Sequence, residues 1–477
     1  MGGGGRGPGG QAGGHPAGGL HEPARRARGG RGGGVPVGAR RGALKAAAVV
    51  AALLLCAPAA LPAPAPPLVE EVLPNGLRVV VAEQPGSPAV TVDVWVRVGS
   101  RDETDELNGA AHFVEHMLFK GTRRRRAGDI AREVESLGAW TNAATGYDYT
   151  HYYVVAPAHA VGRVLDIQAD ALTNSIFDPE EVERERAVVL QELSLIEDTP
   201  ARSAVFRLYQ TAFTVHPYRR PVGGSPEVVR RLTRQQLVDF YRTHYGPANV
   251  SVVVAGGVSA REVLDAARRL FGNWRHPVAG RRAAPAEPPM AGVRRAVEER
   301  DVRVTTLAMG WIGPDVGNPD HYAADVLVYA LGRGRGARWV RALRDQRRAV
   351  QTLSVSFPTA VDPPLFSVVA STAVPDEREA ERAILEEVVR LREEGLRPDE
   401  VARAKAVLEA EVKVEQHTSR GLAGALGFST TVASVDYFRT YLQRVRAVTP
   451  EDVRRVAQRY LDPGRYALVA IRPRRGL

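Results

Sequence analysis

The sequence predicts an α+β protein of two homologous domains, each a mostly antiparallel sheet backed by helices. Three observations carry that prediction. Amphipathic helical stretches alternate with short β-branched runs, a Pro/Ala/Arg-rich stretch divides the chain near its middle, and segments of the second half repeat segments of the first. "PEEVERERAVVLQEL" (179–193) aligns with "PDEVARAKAVLEAEV" (398–412) at an offset of 219. "LTRQQLVDFYRTHYGPANVSVVVAG" (from 232) aligns with "VTPEDVRRVAQRYLDPGRYALVAI" (from 448) at 216. A chain of 477 residues suits about two or three domains with full cores. "HPVAGRRAAPAEPPMAGVRRA" (276–296) reads as an interdomain linker. The expected division is a leader over 1–67, a first domain over 68–275, a linker over 276–298 and a second domain over 299–477.

The formal charge is +10, but residues 1–45 hold eight Lys/Arg against Glu22 alone. The basic excess therefore sits mainly in a Gly/Arg leader, which reads as disordered or mis-started rather than as a binding arm, and no nucleic-acid partner is expected. "RRGALKAAAVVAALLLCAPAALPAPAP" follows, with basic residues, an apolar run from Ala46 to Leu55 and small residues suited to cleavage. It reads as a secretory signal, so the protein is expected to be exported, periplasmic or secreted. The run is short for a membrane span, and an uncleaved, anchored form stays open. Cys56 is the only cysteine. A mature chain cut after it has no disulfide, thiol nucleophile or cysteine ligand, which leaves His and carboxylate as metal ligands.

From Val69 the elements read in order. "NGLRVVVAEQ" and "AVTVDVWVRVGS" are strands separated by a Pro/Gly turn at Pro85–Pro88. "GAAHFVEHMLFKGT" (109–122) is a short apolar helix, and "AGDIAREVESLG" an amphipathic one that stops at Gly138. "AWTNAATGYDYTHYYVVA" is an aromatic, β-branched strand region with a turn near Gly146. The helix over 179–198 opens with Asp178 as N-cap and Pro179 at its first position.

The short apolar helix carries the chemistry. His112 and His116 stand at i and i+4 on one face, so two imidazoles can reach one ion, and Glu115 lies beside them in the inverted order H-x-x-E-H. Burying three ionisable side chains unpaired in such a run is costly. The plain alternative is a pair of hydrogen-bonded helix histidines. At the offset of 219 the repeat puts Leu331, Gly334 and Arg335 opposite His112, Glu115 and His116, so the second copy lacks the metal chemistry. A catalytic zinc site needs a third protein ligand and an open position for water. Glu185 and Glu192 lie seven apart on one helix face, and Glu192 interrupts the apolar stretch "AVVLQELSLI".

With these residues assembled, the sequence resembles the pitrilysin/insulysin/processing-peptidase family of inverted-motif zinc peptidases, in particular its short members. The family pattern is H-x-x-E-H and then a glutamate ligand some 75 residues later, the separation between His116 and Glu192. The likeness runs through "LPNGLRVV", "WVRVGSRDE", "GAAHFVEHMLFKGT", "TNAATGYDYTHYY" and "ERERAVVLQEL", and covers nearly everything after Leu68. It implies two similar domains that form half of a clam-shell chamber, closed by a second chain. It also implies one Zn²⁺ per chain on His112, His116 and Glu192, Glu115 as general base, and Glu185 orienting the ligands. Asn142, Ala143, Ala144 and Thr145 match the substrate-binding edge, where an extended peptide substrate adds as a strand. Active members also carry an arginine and, seven residues on, a tyrosine. Arg344 is kept here, but the tyrosine position is Gln351 and a usual glycine is Arg348. The implied partner is a homologous metal-free chain bearing the Arg/Tyr pair, in a heterodimer, with a homodimer relying on Arg344 as runner-up. The expected function is an exported zinc metalloendopeptidase subunit; the alternative is a non-catalytic scaffold or assembly subunit of the same fold.

Overall fold

Valine-rich runs build the centre of the first of two sheets in a computed structural model that describes residues 67–278, 280–373 and 377–474. The leader and signal read in the sequence lie outside these residues, apart from Pro67. Among the described residues, no helix is long and apolar enough to cross a membrane.

The first sheet contains β1 (Leu68–Val72), β2 (Arg78–Glu83), β3 (Ala89–Val96), β4 (Trp140–Thr145), β5 (Thr150–Pro157) and β6 (Val250–Gly256). Their order is β1-β2-β6-β3-β5-β4, antiparallel except for the β2/β6 pair. Between these strands run α1 (Ala110–Met117), α2 (Asp129–Ser136), α3 (Val161–Asn174), α4 (Pro179–Glu197), α5 (Pro200–Ala212), α6 (Pro226–Arg231) and α7 (Arg234–His244), and α8 (Ala260–Phe271) follows β6. The second sheet contains β7 (Arg294–Arg300), β8 (Thr305–Ile312), β9 (Thr352–Ser356), β10 (Leu365–Thr372) and β11 (Ala467–Pro473), in the order β7-β11-β8-β10-β9. It again has one parallel pair, β7/β11. Its helices are α9 (His321–Gly332), a π-helical segment (Val340–Gln346), α10 (Glu377–Glu394), α11 (Pro398–Gln416), α12 (Ser419–Val432), α13 (Val435–Ala447) and α14 (Pro450–Tyr460). The α+β class and the mostly antiparallel sheets thus agree with the sequence. The second sheet starts at Arg294, inside the span read as linker. β7, "RRAVEER", is a charged edge strand whose residues alternate between exposed and half-buried, so its composition resembles that of a linker.

β3 and β6 are covered on both faces, so nearly every residue of both strands is buried, including the polar Thr91 and Asp93 of β3 and Ser251 of β6. One face of the first sheet packs on helices of its own half, with Val92, Val94 and Val96 against a core that includes Phe113 and Val114 of α1. The other face, with Val80, Trp95 and Val253, is covered by Leu422, Ala423 and Leu426 of α12, a helix of the second half. The reciprocal contact also exists. Ala204, Leu208 and Ala212 of α5, in the first half, pack on Ala308, Ala467 and Val469 of the second sheet. α5 and α12 occupy matching places in the repeat, since their first residues, Pro200 and Ser419, are 219 apart, the same offset as between α4 and α11. Each half therefore supplies one helix to close the other half's sheet, and the two interlock.

This exchange has a tight point. A Cβ at Gly427 of α12 would sit 2.0 Å from Nε1 of buried Trp95, whose ring is fixed by stacking on His151 at 4.1 Å. Gly427→Val is expected to destabilise the protein by about 1–3 kcal/mol through overpacking. Urea unfolding followed by Trp fluorescence checks this: the midpoint falls, and an unmoved midpoint contradicts the interlock.

Candidate metal centre

α1 must start in a fixed place before its histidines can serve a site, and a carboxylate from the preceding turn fixes it. Glu103 accepts from the N–H groups of Gly109 (2.9 Å) and Ala111 (2.8 Å) and from Nδ2 of Asn108 (2.9 Å). It thereby takes the free donors at the start of the helix. Burial pushes its carboxyl up to about 8, against the pull of those hydrogen bonds. Two glycines let the chain in close. Gly109 has φ +101° and a Cβ there would meet Gly223 O at 2.9 Å, while Gly224 has φ +82° and a Cβ would meet Asn108 O at 2.5 Å. Sequence reasoning gave Glu103 no role, although it stands in the quoted "WVRVGSRDE"; a helix-capping acid in an irregular loop has no periodic signature.

α4 crosses beside α1 and delivers two carboxylates. Its N-terminus is set as expected, with Asp178 Oδ1 accepting from the N–H groups of Glu180 (2.9 Å) and Glu181 (3.3 Å) and Pro179 at the first position. Oε2 of Glu192 lies 3.7 Å from Nε2 of His112 and 3.5 Å from Nε2 of His116. Ligand atoms on a tetrahedral ion at about 2.0–2.1 Å stand roughly 3.3 Å apart, so this spacing suits one zinc shared by two imidazoles and a carboxylate. The three form the one such His/Cys/Asp/Glu cluster among the described residues. Glu185, one two-turn step back along α4, bonds Nδ1 of His116 at 3.0 Å, and Lys120 reaches its other oxygen at 2.6 Å. With Nδ1–H donating to Glu185, the lone pair of His116 is left on Nε2, facing Glu192. Nδ1 of His112 is buried and has no partner. The two rings meet edge to face, 4.7 Å between centroids.

The charges follow from this packing. Burial opposes protonation of His116, but the hydrogen bonds to Glu185 and Glu192 win and push it up to about 9. Burial dominates at His112 and holds it below the ordinary imidazole value. The bond to His116 keeps Glu192 below the usual carboxylate range; His116 and Lys120 do the same for Glu185 against its burial.

The remaining expected residues fall in two places. Oε2 of Glu115 accepts from Oγ1 of Thr145 at 2.5 Å, which ties the motif's free carboxylate to β4. β4 is the edge of its sheet, so Asn142, Ala143, Ala144 and Thr145 lie on an open strand. Oδ1 of Asn142 accepts from the N–H of Ala143 at 2.9 Å. Arg344 is not brought to the cluster. It lies on the π-helical segment and its side chain bonds Asp345 at 2.8 Å. Gln351 is exposed at the head of β9, its N–H donating to Ser371 O at 2.7 Å. Arg348 adopts φ +53°, a left-handed conformation that a glycine would hold without strain.

The second half repeats the arrangement with other chemistry. Glu411 matches Glu192 at the offset of 219, and it accepts from Tyr329 OH (3.0 Å) and pairs with Arg333 Nε (2.8 Å). Tyr329 and Arg333 are i and i+4, so they, rather than Leu331 and Arg335, stand opposite the two histidines. The offset of 219 fails here because the loops between the halves' elements differ in length. A neutral hydroxyl and an ion pair replace the metal set.

In the metal-free protein His116 is held above its unfolded value of 6.5. Its contribution to stability is complete below pH 6.5 and is lost as pH rises through about 9. Glu103, also raised, acts in the same direction up to about 8. Chelator-treated protein should therefore be less stable at pH 9 than at pH 6.5, with a smaller difference in His116→Gln. Denaturant titrations at the two pH values check it, and equal pH dependence in both proteins counts against the charged pairing.

Comparison with known proteins agrees with this geometry. A sequence profile described as insulinase (peptidase family M16) matches residues 78–225, and one described as the peptidase M16 inactive domain matches 231–408. The chain is 32% identical over 400 residues to an uncharacterised zinc protease of Streptomyces coelicolor, covering 81% of this chain and 85% of that protein. It is 31% identical over 416 residues to a protein of Arabidopsis thaliana named "Probable mitochondrial-processing peptidase subunit beta, mitochondrial", covering 84% and 77%. Among solved structures, a protease from Helicobacter pylori superposes with a TM-score of 0.80 at 25% identity, covering 86% of this chain and 100% of that one. With relatives of this identity and coverage on a shared two-sheet frame, the chain belongs to the pitrilysin-like peptidase family M16.

Proposed function

We propose that this chain is an exported zinc metalloendopeptidase subunit that hydrolyses peptides or unfolded protein segments, with one Zn²⁺ held by His112, His116 and Glu192. The observation that carries the reading is the position of Glu192 Oε2, 3.5–3.7 Å from both Nε2 atoms. When bound there, the ion supplies a water acidified to a pKa of about 7 and polarises the scissile carbonyl. Glu115 is free of the ligand set and serves as general base, taking the water's proton and passing it to the leaving amine. Thr145 holds one oxygen of Glu115 and leaves the other for that proton. Glu185 keeps His116 in the tautomer that binds metal. The open edge from Asn142 to Thr145 takes the peptide as an added strand, so backbone bonds supply affinity. Export is supported by the apolar run Ala46–Leu55 behind basic residues.

A second reading, a scaffold without turnover, is favoured by one feature, Gln351 in place of a tyrosine. We favour a divided site, in which a homologous metal-free partner carrying Arg and Tyr at the positions of Arg344 and Gln351 completes the oxyanion contacts across the chamber. The runner-up is a homodimer in which Arg344 acts alone. A missing donor of this kind costs roughly 3 kcal/mol, about a hundredfold in rate.

His112→Ala should lose the metal, whereas Glu115→Gln should keep it and lose about 10²–10⁴-fold in turnover. Metal analysis on both variants, paired with cleavage of an unstructured peptide, decides the roles; equal zinc loss in both would sink them. Mixing the chain with its candidate partner should raise turnover about a hundredfold over the chain alone. A single chain as fast as the mixture ends the divided-site reading.

A further inference from the structure

We infer that the far end of the β4 edge is a subsite for an acidic side chain of the peptide, held by Arg420. The inference rests on the peptidase reading and deepens it.

Side chains of β4 alternate between two faces. Thr145 turns toward Glu115 and α1, so Ala143 and Thr141 share that face, and Trp140, Asn142 and Ala144 take the other. Trp140 is 47% exposed on an open edge, where a large apolar ring is unusual. It meets Tyr153 edge to face with centroids 5.4 Å apart. Over both rings lies the guanidinium of Arg420, its carbon 5.6 Å from the Trp140 centroid and 5.1 Å from that of Tyr153. Arg420 belongs to α12, so this corner joins the two halves of the chain.

The placement of the arginine is locally unfavourable. It stands in the first turn of a helix, where a cation opposes the dipole. Among the described residues no carboxylate lies within ion-pair distance of it, whereas other arginines of the second half, such as Arg333 and Arg446, each have one. Asp93, on the same sheet face, is buried and bonded to His151 at 3.0 Å. Contact with two rings restrains the guanidinium of Arg420 while its N–H groups remain available to an anion, so less rotamer freedom is left to lose on binding.

A strand added to β4 advances at the same rise of about 3.4 Å per residue, so the five steps from Thr145 to Trp140 span about 17 Å. Thr145 marks the reacting end through Glu115. The side chain that meets Arg420 therefore belongs to a residue about five positions from the scissile bond, on one side of it, and an Asp or Glu carboxylate there completes an Arg–carboxylate pair.

The test scans a single Glu, and in parallel a single Lys, through an otherwise neutral unstructured peptide and compares kcat/KM with the Ala peptide. The full chain is used, with its partner if activity requires one. The expected profile has one maximum, roughly three- to tenfold in favour of Glu, at four to six residues from the bond. It flattens in Arg420→Gln, reverses toward Lys in Arg420→Glu, and shrinks in high salt. The Glu/Ala ratio is read within each variant, so a general loss of activity does not imitate the effect. Identical profiles for the parent and Arg420→Gln overturn this inference alone, while cleavage of none of the peptides overturns it together with the peptidase reading.

Discussion

One carboxylate between two imidazoles is the contact on which the rest of the first half is arranged. Glu192 and the two histidines sit on different helices, and each is costly to bury alone, so α1 and α4 must meet in one register. The surroundings hold that register. Glu103 fixes the start of α1, a pair of close glycines lets the chain turn into it, and Glu185 locks the second histidine from behind. Thr145 then links the neighbouring Glu115 to the edge strand, so the motif's free carboxylate is tied to the open edge of the sheet.

The same frame carries opposite chemistry in the two halves. Where the first half gathers His112, His116 and Glu192, the second gathers Tyr329, Arg333 and Glu411 at matching helix positions. Arg333 neutralises Glu411 directly, so no cation is needed to compensate the carboxylate. The fold therefore does not require the His/His/Glu set at this crossing, and its presence in one half points to use rather than to packing. The mutual exchange of α5 and α12 joins the halves through two apolar layers. That packs the two halves into one compact unit and lets a second-half residue such as Arg420 reach the first-half edge strand.

Much of this could be read from the sequence where the signal was local. The i, i+4 histidines, the Asp178–Pro179 helix start, the seven-residue step from Glu185 to Glu192 and the strands around Gly146 each follow from periodicity or capping. What was not legible depends on contacts distant in sequence. Glu103 acts from a loop without a pattern. The helix exchange joins residues more than a hundred positions apart, as in Trp95 and Gly427. β7 looked like linker because a charged edge strand has a linker's composition. The repeat gave the right helices but the wrong register for α9, since one fixed offset ignores unequal loops. Arg344 matched by position, yet its contacts stop at Asp345, and no contact among the described residues joins it to the cluster.

X-ray absorption at the zinc edge of the loaded protein tests the central claim most directly, because it reads the ligand atoms without relying on turnover. The account predicts one four-coordinate zinc with two imidazole nitrogens, one carboxylate oxygen and one further oxygen at about 2.0–2.1 Å. Loss of an imidazole contribution in His116→Ala should accompany it. A six-coordinate, all-oxygen shell, or a spectrum unchanged in that variant, would contradict the account.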